Sequence, residues 1–198
     1  MRRLILALAV VFASATTALA EAKFNPSDSA DLDKVSDYLN GIHTMRGGFT
    51  QIGPQGQIDT GKFYVLKPGK MRFDYDPPNP TLVISDGLAV AVYNTKLQTA
   101  NRYPLWSTPL DLLLSDHLDL KGNDGIVSVE HQTGQLIVNA RATAKNASGT
   151  ITIVFTYPHI ELRQWTIIDA QGLPTTVSLR DVLTGIPLPE SSFKINHH

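Results

Sequence analysis

Apolar and polar residues alternate along most of this 198-residue chain, which is the pattern of strands that bury one face of a sheet. The clearest strand places Met71, Phe73 and Tyr75 on one side and Arg72 and Asp74 on the other. The same signal predicts strands from residue 49 onward, over residues 63–65, 88–92, 126–129, 136–138, 150–157, 161–168, 177–183 and 192–195. The chain is therefore expected to be mainly β.

Two segments follow helical spacing instead. The first is predicted from Asp31 to His43, because apolar residues recur there at helical spacing, at Leu32, Val35, Leu39 and Ile42. Residues 22–29 before it are expected to form an irregular lead-in. The second is a short helix over Leu110–Leu114, which follows Pro109, a residue suited to a first helical turn.

About ten predicted strands and two helices point to one large antiparallel sheet that must twist and curl. Turn signals such as Lys67-Pro68-Gly69 and Ser85-Asp86-Gly87 separate the strands. The pattern leaves two architectures open. One is a closed barrel or sandwich filled with side chains. The other is a half-barrel whose concave face is a cavity covered by the helices.

The first twenty residues have the order of a secretory signal peptide. Arg2 and Arg3 precede an apolar run from Leu4 to Ala13, and Ala18-Leu19-Ala20 forms a small-x-small site before Glu21. The apolar run is short for a bilayer span, although an uncleaved anchor or a buried N-terminal helix is the alternative. We expect residues 1–20 to be removed on export and residues 21–198 to form a single soluble domain.

Composition excludes several kinds of chemistry. The formal net charge is −1 without a concentrated basic segment, so nucleic acid is not an expected partner. Cysteine is absent, and no nucleophile elbow, zinc-protease or phosphate-loop motif is present. The pairs Asp116-His117 and Glu130-His131 are interpreted as solvated turn and strand residues, not as metal ligands. The sequence therefore predicts a binding protein without catalytic residues, metal or cofactor.

Several short segments resemble the LolA family, whose members carry lipoproteins across the periplasm. They are Phe49-Thr50-Gln51, Gly61, Lys67-Pro68-Gly69, Phe73-Asp74-Tyr75, Ser85-Asp86-Gly87 and Tyr93-Asn94, and weaker similarity extends the match over most of residues 31–195. The resemblance implies an α+β fold, mainly β, in which a curved antiparallel sheet forms an incomplete, half-open barrel with a helical lid. This implication favours the second of the two architectures.

The resemblance also implies a function. A LolA-like monomer binds the acyl chains of lipoproteins, receives them from an ATP-driven release complex in the inner membrane and passes them to an outer-membrane acceptor. The related acceptor is anchored through a lipid-modified cysteine, and the absence of cysteine here favours the carrier. The alternative is a LolA-like sensor of lipid or lipoprotein, or a paralogue specialised for another lipid.

Site residues follow from the same resemblance. The expected lipid-binding cavity is lined by Phe63, Val65, Met71, Phe73, Tyr75 and Val83. The expected lid helix contributes Leu110, Leu112, Leu113 and Leu114. On the pattern alone, Met71, Phe73 and Tyr75 fit ordinary core packing equally well, and the lid leucines fit a helix packed permanently on the sheet.

Lys67 is a departure from the family pattern and the candidate latch of the lid. The family places an arginine there, which holds the lid shut through hydrogen bonds to backbone carbonyls of the lid. Lysine keeps the charge but lacks the planar fork of donors. We therefore expect either a looser lid or a different latch, the alternative being that Lys67 is a surface residue before a turn.

Overall fold

The computed structural model describes residues 23–142 and 148–195 of the chain. Eleven strands and two α-helices lie within those ranges. Their bounds are α1 Pro26–Asn40, β1 Thr44–Ile52, β2 Ile58–Leu66, β3 Lys70–Tyr75, β4 Thr81–Asp86, β5 Ala89–Asn94, β6 Thr99–Pro104, α2 Leu110–Leu114, β7 Ile126–Gln132, β8 Gln135–Arg141, β9 Thr150–Thr156, β10 Leu162–Ile168 and β11 Pro174–Thr184. The predicted signal peptide, residues 1–20, lies outside the described residues.

All eleven strands belong to one antiparallel sheet. Its order is β6-β5-β4-β3-β2-β1-β11-β10-β9-β8-β7. Strands adjacent in sequence pair with each other, except β6 and β7, and β1 pairs with the distant β11. The edge strands β6 and β7 lie at opposite ends of this order and do not pair, which leaves the curved sheet unclosed. The predicted half-open barrel is thereby confirmed, and the closed barrel is excluded.

The helix α1 begins at Pro26, five residues before the predicted start, so the expected irregular lead-in is wrong over residues 26–29. Asn25 is the N-cap, and its side-chain oxygen accepts a hydrogen bond of 2.8 Å from the backbone N–H of Asp28. Pro26 then occupies the first turn, where its missing N–H is not needed. Gly41 ends the helix by donating its N–H to the carbonyl of Asp37.

A buried carboxylate attaches α1 to the edge strand β7. The side chain of Asp31 is 2% exposed, and its oxygens lie 2.7 Å from Lys34 Nζ and 2.8 Å from His131 Nε2. Burial by itself would raise the pKa of Asp31, but the hydrogen bonds from Lys34 and His131 outweigh it and hold that pKa below its usual range. His131 is therefore a structural partner of α1, which corrects its interpretation as a solvated strand residue.

Replacing Asp31 with asparagine is expected to lower the free energy of unfolding at neutral pH by about 1–3 kcal/mol, because charge-assisted hydrogen bonds are lost. A carboxylate whose folded pKa is lowered stabilises the fold above its unfolded pKa of about 3.9 and loses that effect as pH falls through the folded value. The difference between wild type and variant in urea unfolding should therefore shrink below about pH 4. Asp33→Asn, in an exposed pair with Lys121, is the control and should change little; a deficit for Asp31→Asn that stays constant with pH would contradict the role of this carboxylate.

Other local predictions also differ from the structure. Leu88 was placed in a strand but lies in the turn before β5 with 80% of its surface exposed. Residues 192–195 were predicted as a strand, yet Glu190–Phe193 forms a 3-10 helix that buries Phe193. Strand β6 was not predicted, because all of its residues are exposed and no burial alternation marks it.

Candidate functional site

The concave face of the sheet and the two helices enclose one apolar cluster. From α1, the side chains of Leu32, Val35 and Leu39 are buried in it, and α2 contributes Leu113 and Leu114. The apolar side of each helix therefore faces the sheet, and the helices cover what would otherwise be an exposed apolar surface.

The six predicted cavity residues come together in this cluster. Four of them are buried: Phe63, Val65, Met71 and Phe73. The other two, Tyr75 and Val83, are half-buried at the margin of the cluster. The strand register explains the grouping, because Phe63 pairs with Phe73, Val65 with Met71, and Phe73 with Val83. Period two along β2, β3 and β4 then directs all six to the concave side.

Phe73 is the centre of an aromatic group within the cluster. Its ring centroid lies 4.9 Å from that of Phe49, 5.9 Å from that of Phe63 and 6.2 Å from that of Trp165. Phe49 and Phe63 belong to β1 and β2, whereas Trp165 belongs to β10, so Phe73 connects the two halves of the sheet.

Tyr75 places the polar end of an otherwise apolar side chain at the edge of the cluster. Its hydroxyl donates a hydrogen bond of 2.6 Å to the side-chain oxygen of Gln51. Burial raises the pKa of Tyr75 to about 12, so the phenol is neutral throughout the physiological range. The hydrogen bond therefore fixes the Tyr75 side chain at the margin of the apolar cluster, and the hydroxyl supplies no charge there.

Helix α2 occupies the residues predicted to form a lid. Leu113 and Leu114 are buried, and Leu110 and Leu112 are half-buried against the cluster. The space left between α1, α2 and the sheet is only about 30 Å³, with Ile42 among its lining residues. That volume holds about one or two water molecules, so α2 lies closely against the sheet and side chains fill the space expected to be a covered cavity.

Lys67 binds the other helix. Its Nζ donates a hydrogen bond of 2.9 Å to the carbonyl of Leu39, in the last turn of α1. Burial lowers the pKa of Lys67, although the nearby charge of Asp116 opposes this shift. The side chain also lines the residual 30 Å³ space, together with Leu39, Val65 and leucines of α2, so Lys67 is half-buried and not a fully exposed surface residue.

The main chain of the same turn holds α2. The N–H of Gly69 donates a hydrogen bond of 2.8 Å to the carbonyl of Leu114, the last residue of that helix. The carbonyl of Gly69 accepts a hydrogen bond of 2.7 Å from Ser85 Oγ, which fixes the turn to β4. The Lys67-Pro68-Gly69 turn is visible in the sequence, but this backbone contact is not, because no side-chain pattern indicates it.

The second half of the sheet supplies cluster residues that the predicted site omitted. They are buried on the concave side of β8, β9 and β10 and include Leu136, Val138, Ile153, Phe155 and Trp165. Their alternation is visible in the sequence, but the β1–β11 pairing that brings them opposite β2 and β3 is not.

Within residues 23–142 and 148–195, no group of three or more potential ligands is arranged to hold a metal ion. His117 Nε2 and Asp116 lie 3.8 Å apart on a highly exposed surface, which agrees with their interpretation as solvated residues. Neither of the helices in those ranges is long and apolar enough to cross a bilayer.

An unclosed antiparallel sheet with an apolar concave face under two short helical covers defines a class of open-barrel binding proteins. The chain belongs to the LolA family, because the family model described as outer membrane lipoprotein carrier protein LolA matches residues 40–196.

Named relatives agree with this assignment. An outer-membrane lipoprotein carrier protein from Dechloromonas aromatica is 26% identical over 172 residues, covering 82% of each chain. One from Methylococcus capsulatus is 27% identical over 180 residues, covering 86% of this chain and 85% of the relative. A solved domain from Vibrio parahaemolyticus, whose description refers to outer membrane lipoprotein sorting, gives a TM-score of 0.50 at 13% identity and covers 85% of this chain and 97% of that domain. At that identity the structural likeness shows the fold alone.

Proposed function

We propose that this protein is a periplasmic carrier that binds the acyl chains of lipoproteins between its sheet and its two helices. The observation that carries the proposal is the single apolar cluster shared by the concave face, α1 and α2. Membership of a carrier family and relatives named as lipoprotein carriers support it. The cavity residues proposed to contact lipid are Phe63, Val65, Met71, Phe73, Tyr75 and Val83, and the lid residues are Leu110, Leu112, Leu113 and Leu114.

Energetics explain why such a carrier must offer a covered apolar surface. A triacylated lipoprotein exposes about 45 methylenes, and at about 0.8 kcal/mol each its release into water costs on the order of 35 kcal/mol. A protein that lowers this cost must provide replacement apolar surface. It must also cover that surface when empty, because exposed apolar patches associate nonspecifically.

Cargo entry requires the lid to move, since the shut interior leaves about 30 Å³. The turn at residues 67–69 contributes one hydrogen bond to each helix, from Lys67 to Leu39 and from Gly69 to Leu114. Two such bonds are weak compared with acyl-chain burial, so incoming chains can displace the leucines and take their place. The lid closes again over the same surface after the cargo leaves.

The pathway assigned to this carrier follows the family. Residues 1–20 direct export, and residues 21–198 act as one domain and as a monomer in the periplasm. An ATP-driven complex of the inner membrane loads the carrier, and a lipoprotein acceptor of the outer membrane unloads it. The carrier itself performs no catalysis.

A release assay tests the proposal. Purified protein beginning at Glu21 is added to spheroplasts whose inner membranes hold newly made lipoproteins and an active release complex. Lipoproteins that appear in the soluble fraction bound to this protein support the carrier function. If an established carrier releases them and this protein does not, the function moves to a LolA-like sensor or a specialised lipid-binding paralogue.

Replacing Lys67 with leucine is expected to leave lipoprotein release within about twofold of wild type. The change removes one hydrogen bond, worth about 1.5–3 kcal/mol for a charged donor, but it adds apolar contact with the lining of the residual space. The Gly69–Leu114 bond does not involve this side chain and should persist. The measurement is the spheroplast assay, with Lys67→Arg as the matched variant. If Lys67→Leu blocks transfer completely and Lys67→Arg does not, the hydrogen bond of Lys67 is essential and the expectation is wrong.

A further inference from the structure

Strand β6 leaves an uncovered sheet edge beside the apolar cluster. Within residues 23–142 and 148–195 it pairs only with β5, and all of its residues, Thr99–Pro104, are exposed. The next residue, Leu105, is buried in the cluster, so the edge ends where the apolar interior begins. An uncovered edge presents backbone N–H and C=O groups that can pair with an added strand.

The opposite edge of the sheet, β7, is protected against such pairing. Its register with β8 is irregular between Ile126 and Ser128, and an irregularity of this kind twists an edge away from a partner strand. Its His131 is also hydrogen-bonded to Asp31 of α1. Strand β6 instead pairs with β5 in a regular register along its whole length, and its one charged residue, Arg102, already has a partner. Of the two edges, β6 is therefore the one that can accept an added strand.

The backbone groups that face outward from β6 follow from one hydrogen bond. The N–H of Leu105 donates to the carbonyl of Leu88 at 2.9 Å. These two residues continue the register by one step from the pair of Ala89 and Pro104. Because inward and outward groups alternate along an antiparallel strand, Ala100 and Pro104 direct their backbone groups away from β5. Ala100 therefore offers an outward N–H and C=O, and Pro104 offers an outward C=O at a position where proline is tolerated on an edge.

Polarity on the concave side of the sheet changes toward this edge. One cross-strand row runs from β2 to β6 in the order Phe63, Phe73, Val83, Val92 and Asn101. The two phenylalanines are buried, the two valines are half-buried and the asparagine is exposed. Val83 and Asn101 are two strand spacings apart, which corresponds to about 10 Å. A ligand whose apolar part contacts Phe73 therefore meets a polar, uncovered edge a short distance away.

A lipidated polypeptide has the same change of polarity. Its acyl chains are attached to one residue, and the polypeptide beyond that residue is a polar backbone with variable side chains. When the acyl chains lie in the cluster, the adjoining polypeptide must leave it across a rim of the sheet. Hydrogen bonds from an edge strand go to the backbone, which every cargo shares, so they place little restriction on the cargo sequence. A second copy of this chain has the backbone but no acyl chain to hold it at this edge.

We propose that β6 binds the polypeptide segment next to the acylated residue of a lipoprotein as an added β-strand. The segment pairs with the outward backbone groups of Ala100 and Pro104, while the acyl chains contact the surface around Phe73. This inference rests on the proposed carrier function and adds to it a contact that recognises polypeptide instead of lipid.

The test compares ligands with and without a polypeptide on the full mature chain. They are N-palmitoyl-cysteine amide, N-palmitoyl-cysteine followed by about eight uncharged residues, and two forms of this lipopeptide that are N-methylated on alternate backbone amides in the two possible frames. Dissociation constants are measured by calorimetry below the critical micelle concentrations. Wild type should bind the lipopeptide about tenfold more tightly than the amide. Methylation should remove this gain in one frame only, because the acyl chain fixes the register and only alternate N–H groups face β6.

Replacing Ala100 with proline removes the outward N–H but none of the bonds to β5. Ala100→Pro should therefore bind the lipopeptide about tenfold more weakly than wild type, close to the affinity for the amide. Ala100→Val keeps the N–H and is the matched control, which should bind like wild type. Both variants should bind N-palmitoyl-cysteine amide as wild type does. Should Ala100→Pro fail to fold, the two methylated lipopeptides on the wild-type protein still decide the question.

Failure of this inference and failure of the carrier function give different results. If none of the palmitoyl ligands binds, the carrier function is wrong and the added strand is wrong with it. If the amide binds as tightly as the lipopeptide, or if methylation in both frames weakens binding equally, the acyl site stands and the added strand is refuted. If wild type forms a dimer that Ala100→Pro abolishes, and both proteins bind the lipopeptide equally, the edge belongs to a second copy of this chain.

Discussion

Replacing Phe73 with alanine is expected to lower the free energy of unfolding by about 3–5 kcal/mol. Phe73 is 7% exposed, and its ring contacts Phe49, Phe63 and Trp165 at centroid distances of 4.9, 5.9 and 6.2 Å. Truncation removes the apolar burial of a whole ring and leaves a cavity between the two halves of the sheet. Edge-to-face contacts, worth about 0.5–1.5 kcal/mol per pair, are lost in addition.

Urea unfolding and thermal melting measure this effect. For a chain of this size the loss corresponds to a melting temperature lower by about 6–20 °C. Phe73→Leu is the matched control, because it keeps most of the apolar volume and should cost less than about 1.5 kcal/mol. A loss below about 1 kcal/mol for alanine would mean that the aromatic group is not close-packed and that the concave face is already loose in the empty protein.

The site was predictable where local pattern and strand register give the same information. Met71, Phe73 and Tyr75 alternate along one short strand, and the tight Lys67-Pro68-Gly69 turn sets the pairing of β2 with β3. The six proposed cavity residues therefore fall into one cluster. The helix α2 was predicted with its observed bounds, because Pro109 and a run of leucines give strong local signals.

The remaining features depend on distant parts of the chain or lack a burial signal. The contact of Trp165 with Phe73 requires the pairing of β1 with β11, and no local pattern specifies that partner. Strand β6 is exposed throughout, so alternation does not mark it. The start of α1 was missed for a different reason, since Asn25-Pro26 was treated as part of a loop although it is also a good helix N-terminus.

The hydrogen bonds from the turn at residues 67–69 to the two helices were also only partly predictable from the sequence. A family arginine replaced by lysine suggested a looser or different latch, and the structure gives Lys67 one hydrogen bond, to α1. The bond to α2 comes from the N–H of Gly69, which any residue with that backbone conformation could provide. Side-chain identity at residue 67 therefore bears on only one of the two hydrogen bonds between this turn and the helices, the one to α1.

Replacing Gly69 with alanine is accordingly expected to free α2 and to destabilise the shut protein more than any change at Lys67. Gly69 has a φ of +73°, where a side chain costs about 1–2 kcal/mol. A Cβ at this position would also lie 2.6 Å from the Cα of Gly87, so the two turns must move apart. That movement breaks the bond from Gly69 to Leu114 and disturbs the one from Ser85 Oγ.

Gly134→Ala separates backbone strain from loss of the tether. Gly134 also has a φ of +73°, but a Cβ there would meet nothing within 4 Å, and its turn between β7 and β8 is not hydrogen-bonded to α2. In both variants the strain of alanine at positive φ should lower the free energy of unfolding. In Gly69→Ala, urea unfolding should show a further loss of at least about 1 kcal/mol, and the protein should bind more of a dye specific for exposed apolar surface. Equal unfolding losses and equal dye binding would mean that the Gly69 amide does not hold the lid, and that leucine packing alone keeps α2 on the sheet.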